Sequence, residues 1–303
     1  MMGRATPNMI AHGRPDWAAY VELTKPITWF PPMWAFGCGI VSAGPHFADR
    51  WPFAVLGILL AGPLVCGTSQ IVNDWFDRHV DAINEPDRAI PSGRVPGRNG
   101  LYFAIAWTIV SFAVALTLGL WVSIAATIGI ALAWMYSAPP FRLKKNGWWG
   151  NAACGLCYEG LPWFTAAAAL TGGLPASEII MLALLYSAGA HGIMTLNDFK
   201  AIEGDKVMGI RSLPVQLGAQ GAARLACAVM LVPQLAVIAL VVHWQAYVAA
   251  GVITSLVVAQ AVLMRRFLRA PVENATWYSA LGVTLYVLGM LASAFAVRGF
   301  LGT

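Results

Sequence analysis

The chain has 303 residues, 58% of them hydrophobic and only 11% charged, whereas roughly a quarter of a soluble domain is charged. That balance excludes a water-soluble globular domain and describes an integral membrane protein. The net charge of +5 comes from 19 basic and 14 acidic residues; the basic ones are spread along loops beside apolar stretches, which suits lipid headgroups and phosphorylated ligands and argues against nucleic acid.

Residues 1–26 carry Arg4, Arg14, Asp16, Glu22 and Lys25 without an apolar centre, so they are expected to form a cytoplasmic N-terminal segment and not a cleavable signal. Apolar stretches follow at about 27–45, 52–73, 100–120, 121–138, 150–171, 177–197, 221–242, 243–264 and 276–298, each near the roughly 20 residues that span a bilayer as helix. The expected fold is all-α, with nine transmembrane helices in one domain over 27–303. A β-barrel would alternate polar and apolar positions, and runs such as Ala131-Leu-Ala-Trp-Met135 are apolar on every side. All Lys and Arg except Arg50 and Arg298 fall in or beside the N-terminal tail and the loops after stretches two, four, six and eight. The positive-inside bias then puts the N-terminus and those loops in the cytoplasm and the C-terminus on the far side. Cys38, Cys66, Cys154, Cys157 and Cys227 all lie inside apolar stretches and read as packing residues, with no disulfide framework.

Eight of the 14 acidic residues sit in two windows: Asp74, Asp77, Asp81, Glu85 and Asp87 after the second stretch, and Asp198, Glu203 and Asp205 after the sixth. Each window opens on Asn-Asp and is followed by Arg and Pro, an internal repeat that suggests two half-sites facing one cavity. Carboxylates this crowded repel one another unless cations hold them. On a helix Asp74, Asp77 and Asp81 fall within about 60°; Asp198 and Asp205 would share a face if the helix continued through Gly204. Oxygen donors without a His or Cys cluster favour magnesium, which bridges a few carboxylates to phosphate. The basic residues around them, Lys25, Arg78, Arg88, Arg94, Arg142, Lys144, Lys145, Lys206 and Arg211, together with Asn73 and Tyr136, form the candidate diphosphate-binding set. A solvated loop and an ion-coupled transporter are the competing readings. A transporter would place its acids near helix centres, whereas these lie at helix ends.

Asn73-Asp-x-x-Asp77-x-x-x-Asp81 resembles the first aspartate motif of the UbiA-type intramembrane prenyltransferases. The resemblance implies their nine-helix fold and two magnesium ions held by the motifs, Asn73, Asp74, Asp77, Asp81, Asp198 and Asp205, against an isoprenoid diphosphate. The usual second motif is Asp-x-x-x-Asp; Asp205 fits its later position, but Ala201 stands at the earlier one, so Asp198 would have to substitute from one turn back. Ile90-Pro-Ser-Gly93, Tyr136-Ser-Ala-Pro-Pro140, Lys145-Asn-Gly-Trp148, Leu161-Pro-Trp163 and Asn197-Asp-Phe-Lys200 narrow the likeness to the chlorophyll and bacteriochlorophyll synthase branch over about 25–218, and Trp75, Phe76, Arg94 and Glu159 look more like the bacterial members. That likeness implies esterification of a bacteriochlorophyllide propionate with geranylgeranyl or phytyl diphosphate in a bacterial inner membrane, with membrane lipids and pigment-biosynthesis or assembly proteins as partners. A chlorophyllide, quinone-precursor or haem prenyltransferase of the same fold is the alternative.

Trp75 and Phe76, inside the motif, and Glu159 and His191, inside apolar stretches, are candidate acceptor-binding residues. His191 lies seven before Asp198 and could reach a tetrapyrrole's central metal; a satisfied intramembrane histidine is the plainer reading. Glu159 either orients an acceptor carbonyl or fixes helix packing. His79 is expected to act at most through its acidic neighbours, and most of the 13 tryptophans read as an interfacial belt.

Overall fold

The computed structural model describes residues 16–44 and 46–302; Arg4, Arg14 and the rest of 1–15 in the expected N-terminal segment lie outside the described residues. Helix α1 (Trp17–Leu23) starts at Asp16, whose carboxylate accepts from the Ala19 amide, a side-chain cap for a free N–H. Lys25 then adopts a left-handed conformation (φ 46°), turning the chain into the short 3-10 segment Pro26–Trp29 and α2 (Phe30–Ser42).

α3 (His46–Leu59), a π-helical turn (Leu60–Cys66) and α4 (Gly67–Asn84) form one helical body of 39 residues. Pro63 lies in the π turn, where its missing N–H interrupts the α ladder. α5 (Asn99–Leu118) and α6 (Leu120–Ser137) reverse at Gly119 (φ 111°), a one-residue hinge open only to glycine. α7 (Gly147–Gly155), capped by the Asn146 side chain, passes through a second π turn (Leu156–Gly160) into α8 (Leu161–Thr171). α9 (Ser177–Asp198), the short α10 (Ile202–Met208), α11 (Leu213–His243, kinked at Gly218), α12 (Tyr247–Arg269) and α13 (Pro271–Leu301) complete the chain.

Among the described residues no strand forms, and each apolar stretch expected from the sequence falls mainly on helix. Seven of these bodies are long and apolar enough to cross a membrane. The other two are α2, only 13 residues long, and the α7–α8 body, which carries Asn151 and Glu159. The count of nine spans is therefore not reproduced as such. The largest departure in length is α4, which runs 11 residues past the expected end at 73 and carries Asp74, Asp77 and Asp81 on helix, with Glu85 and Asp87 beyond its end.

Helices α4, α5 and α6 pack on one another, α9 packs on α7 and α11, and α13 returns to α2. Lipid is as apolar as leucine, so these contacts rest on small residues that allow close approach and on satisfied polar groups. Trp163 donates to Ser42, the Tyr186 and Ser293 hydroxyls bond at 2.7 Å, and Gln234, Gln260 and the Gly282 carbonyl form a buried chain. Between α2 and α8, a Cβ on Gly39 would overlap the Trp163 carbonyl oxygen, whereas one on Gly37 meets nothing within 4 Å. Gly39→Val is expected to destabilise by about 1–3 kcal/mol through overpacking and Gly37→Ala to leave stability unchanged. Thermal unfolding of both variants in detergent checks this.

Candidate functional site

Because α4 continues past the apolar stretch, Asn73, Asp77, Asp81 and Asn84 repeat at helical spacing along one of its sides and line an open cleft of about 1510 Å³. Asp198, Asp205, Asn151 and Ser212 line the same cleft, as do Tyr136, Arg88, Arg142, Lys144 and Lys145. Both acidic runs thus meet in one space.

Asp74, Asp77 and Asp81 are each neutralised by a cation from elsewhere in the chain. Lys144 reaches both oxygens of Asp77 at 2.5 Å, Arg88 bonds Asp81 at 3.0 Å and Asp74 at 3.4 Å, and Lys25 bonds Asp74 at 2.6 Å. Asp77 and Asp81 face the cleft, while buried Asp74 turns toward Lys25 and does not line it. Burial holds the Lys144 amine below the usual lysine range, with Asp77 working against that shift. Arg142, also in a left-handed conformation (φ 44°), has its buried Nε without a partner.

The second run differs from the expected continuous helix. α9 ends at Asp198, Phe199–Ala201 form a turn, and Asp205 sits on the separate α10. The turn replaces the shared helical face, yet it brings Asp198, Ala201 and Asp205 to the cleft wall. Ala201 presents a methyl group where the resembling motif has a carboxylate. Asp198 accepts from Asn151 at 3.2 Å, and the same amide reaches Thr195. Asp205 is buried, which pushes its carboxyl above the usual range while the Ser212 hydroxyl works against the shift. Sequence reasoning missed Asn151 and Ser212; an amide inside an apolar span was the available signal for Asn151.

Several residues expected at the site stand outside it. Arg78 folds back over the Trp75 ring at 3.9 Å and donates to the Trp75 carbonyl. Arg94 forms a two-bond pair with Glu22, Lys206 pairs with Glu203, and exposed Arg211 is tied through its backbone to Lys145 and Gly147. Trp75 is buried against Gly100, and Phe76 lies edge-on to Trp134; both pack between helices because the cleft side of α4 is already taken by the acids. Glu159 is buried in the second π turn and His191 lies beside Trp148; each keeps one buried polar atom without a partner, and neither lines the cleft. His79 is exposed.

A partly open apolar cavity adjoins the cleft, lined by Leu60, Ala61, Cys66, Ala126, Gly129 and Tyr158 among others. Both π turns contribute to it. It meets the cleft within one turn on α4, from Ser69 to Asn73, and within three residues on α6, from Ala133 to Tyr136. Gln70 donates to the Tyr158 hydroxyl at this junction. Among the described residues no three His, Cys, Asp or Glu side chains come together as a cage for an ion. The cleft offers separate carboxylates and amide oxygens, a donor set that fits a hard cation completed by water or phosphate oxygens.

A cleft of acids and bases continued by an apolar cavity suits a ligand with a charged head and a hydrocarbon tail. Residues 29–288 match the UbiA prenyltransferase family. The chain belongs to this family. The bacteriochlorophyll synthase 33 kDa chain of Cereibacter sphaeroides is 57% identical, across 96% of this chain and 97% of its own length, and the chloroplastic chlorophyll synthase of Avena sativa is 36% identical, across 92% and 76%. A UbiA homologue from Archaeoglobus fulgidus solved with GPP and Mg2+ shares the fold, with a TM-score of 0.68 at 19% identity over 93% of this chain and 99% of that one. As a UbiA prenyltransferase the chain is not an ion-coupled transporter.

The geometry separates cleft residues from packing residues. Trp75→Ala is expected to cost about 3–5 kcal/mol of stability. Asp77→Asn should cost no more than about 1 kcal/mol, since the amide still accepts from Lys144 in a cleft open to water. Unfolding midpoints in detergent, measured side by side, check the contrast.

Proposed function

We propose that the chain esterifies the propionate of bacteriochlorophyllide with geranylgeranyl diphosphate, or its phytyl counterpart, releasing diphosphate. The single observation that carries the chemistry is the end-to-end arrangement of a charged cleft and an apolar cavity: the first suits a diphosphate and the second its prenyl tail. The acceptor follows from relatives named bacteriochlorophyll synthase at 57% identity, against 36% for a chlorophyll synthase.

Magnesium, when bound, neutralises the diphosphate and so makes it a better leaving group. Asn73, Asp77 and Asp81 would hold it from one wall, and Asp198 and Asp205 from the other, one ion at each half-site. Arg88, Arg142, Lys144 and Lys145 then face the oxygens on which negative charge grows as the C1–O bond breaks, which stabilises the transition state more than the ground state. The electron pair leaves with diphosphate, C1 becomes an allylic cation, and a propionate oxygen forms the ester bond. A propionate is ionised at neutral pH, so the acceptor needs no general base. The apolar cavity shields the cation from water.

The cleft is lined by Arg88, Arg142, Lys144 and Lys145, all from the loops that carry the chain's excess of Lys and Arg, and this supports a cytoplasmic cleft with the C-terminus on the opposite side of the inner membrane. Residues 27–303 act as one membrane domain, with 1–26 as the segment before it. The Asp74 carboxylate, held by Lys25 and Arg88, acts by fixing those cations beside the cleft.

Asp77→Asn is expected to lower turnover by about 10²–10³ at saturating magnesium. Near-wild-type rates would remove Asp77 from the metal site. Purified protein given magnesium, geranylgeranyl diphosphate and either bacteriochlorophyllide or hydroxybenzoate tests the acceptor; product from hydroxybenzoate alone overturns the assignment. In the apolar cavity a Cβ on Gly129 meets only ordinary contacts at 3.5 Å, so the backbone there accepts a side chain; Gly129→Leu, checked for folding by its unfolding midpoint in detergent, should take up part of the tail space. The expected result is a larger rise in KM for geranylgeranyl diphosphate than for dimethylallyl diphosphate.

A further inference from the structure

Glu22 and Arg94 lie 72 residues apart and meet through two parallel bonds of 2.6 and 2.8 Å, the fork geometry that fixes direction as well as distance. Arg94 also donates to the Asp87 carbonyl at 2.9 Å and to Ser92. It therefore ties α1 to the irregular segment between α4 and α5. That segment has no helix of its own and turns at Gly93 (φ 80°) and Gly97 (φ 59°), where a Cβ would meet nothing within 4 Å; glycine is required there by backbone conformation and not by space.

The same segment delivers Arg88, which bonds Asp74, Asp81 and Glu85. From the other end of the pair, α1 leads into Lys25, whose amine holds Asp74. Ala19 and Leu23 of α1 are buried with Ala89 and Val95 of the segment and with Ile71 and Val72 of α4. The two cations that reach Asp74 thus come from two pieces of chain that the Glu22–Arg94 pair joins. The pair itself is substantially exposed, with the Arg94 and Glu22 side chains 37% and 47% accessible, so it adds little to global stability.

We infer that Glu22 and Arg94 are positioning residues: their ion pair clamps the 85–98 segment onto α1 and so holds Arg88 at the first aspartate run. Arg94 then serves the cleft indirectly, through Arg88, and Glu22 joins the functional residues although it belongs to neither acidic run. The consequence for turnover rests on the proposed diphosphate chemistry; the clamp itself does not.

The test uses the full-length protein in detergent, in four forms: wild type, Glu22→Gln, Arg94→Gln and the exchanged pair Glu22→Arg with Arg94→Glu. Amide hydrogen exchange without substrate reads the clamp. Exchange over 85–98 is expected to rise roughly two- to fivefold in each single variant, the range an exposed ion pair supports, and to return toward wild type in the exchanged pair, with α11–α13 unchanged throughout. Unaltered exchange in Glu22→Gln, in which Arg94 keeps its bonds to Asp87 and Ser92, overturns the clamp whatever the enzyme's substrate. For the positioning role, kcat/KM for geranylgeranyl diphosphate should fall by a similar factor in the single variants, carried by kcat because Arg88 acts on the transition state, and recover in the exchanged pair. Loosened exchange with an unchanged kcat/KM overturns that role. A wild-type protein that turns over no prenyl diphosphate refutes the proposed function while exchange still reports on the clamp.

Discussion

Everything around the cleft depends on one electrostatic constraint: carboxylates placed at the end of an apolar helix cannot stand beside each other unpaired. The chain meets it with cations drawn from distant segments. Lys25 comes from the entry to α2, Arg88 from the α4–α5 connection and Lys144 from the α6–α7 connection, and each ends on a carboxylate of α4. These pairs organise three segments beside the cleft that otherwise have little regular structure. The acidic run is therefore an assembly point as much as a ligand set.

The second constraint is geometric. A regular α-helix packed against its neighbours leaves no room for a hydrocarbon chain, and interiors are close-packed. Here the two π turns, Leu60–Cys66 and Leu156–Gly160, both border the cavity and approach each other where Cys66 Sγ lies 4.0 Å from the Tyr158 hydroxyl, and small residues such as Ala126, Gly129 and Ala133 on α6 complete the wall. A helical irregularity of this kind costs regular hydrogen bonding, and it is retained where a site needs the space.

The helical class and the position of every apolar body were legible from hydropathy alone, because a bilayer leaves few alternatives to a long apolar helix. The first half-site was legible for the same reason that helices are: spacings of three and four return to one face, and Asp77 and Asp81 obey that rule. Arg78, Arg94, Trp75 and Phe76 were not, since closeness in sequence says nothing about which side of α4 a residue takes. Asp198 and Asp205 reach one wall by a turn that no periodicity announces. Asn151 and Glu22 acquire their importance from partners 47 and 72 residues away, and a single sequence does not reveal such pairings.

The unequal construction of the two acidic walls has a mechanical consequence. Asn73, Asp77 and Asp81 ride on one uninterrupted helix, so their mutual spacing is set by helical pitch and changes little. Asp198 and Asp205 are separated by the Phe199–Ala201 turn, and buried Phe199 lies edge-on against Phe267 of α12, 5.5 Å away. One wall of the cleft is thus set by a single helix, and the other by a turn whose aromatic ring is packed on α12, a helix that contributes no residue to the cleft wall.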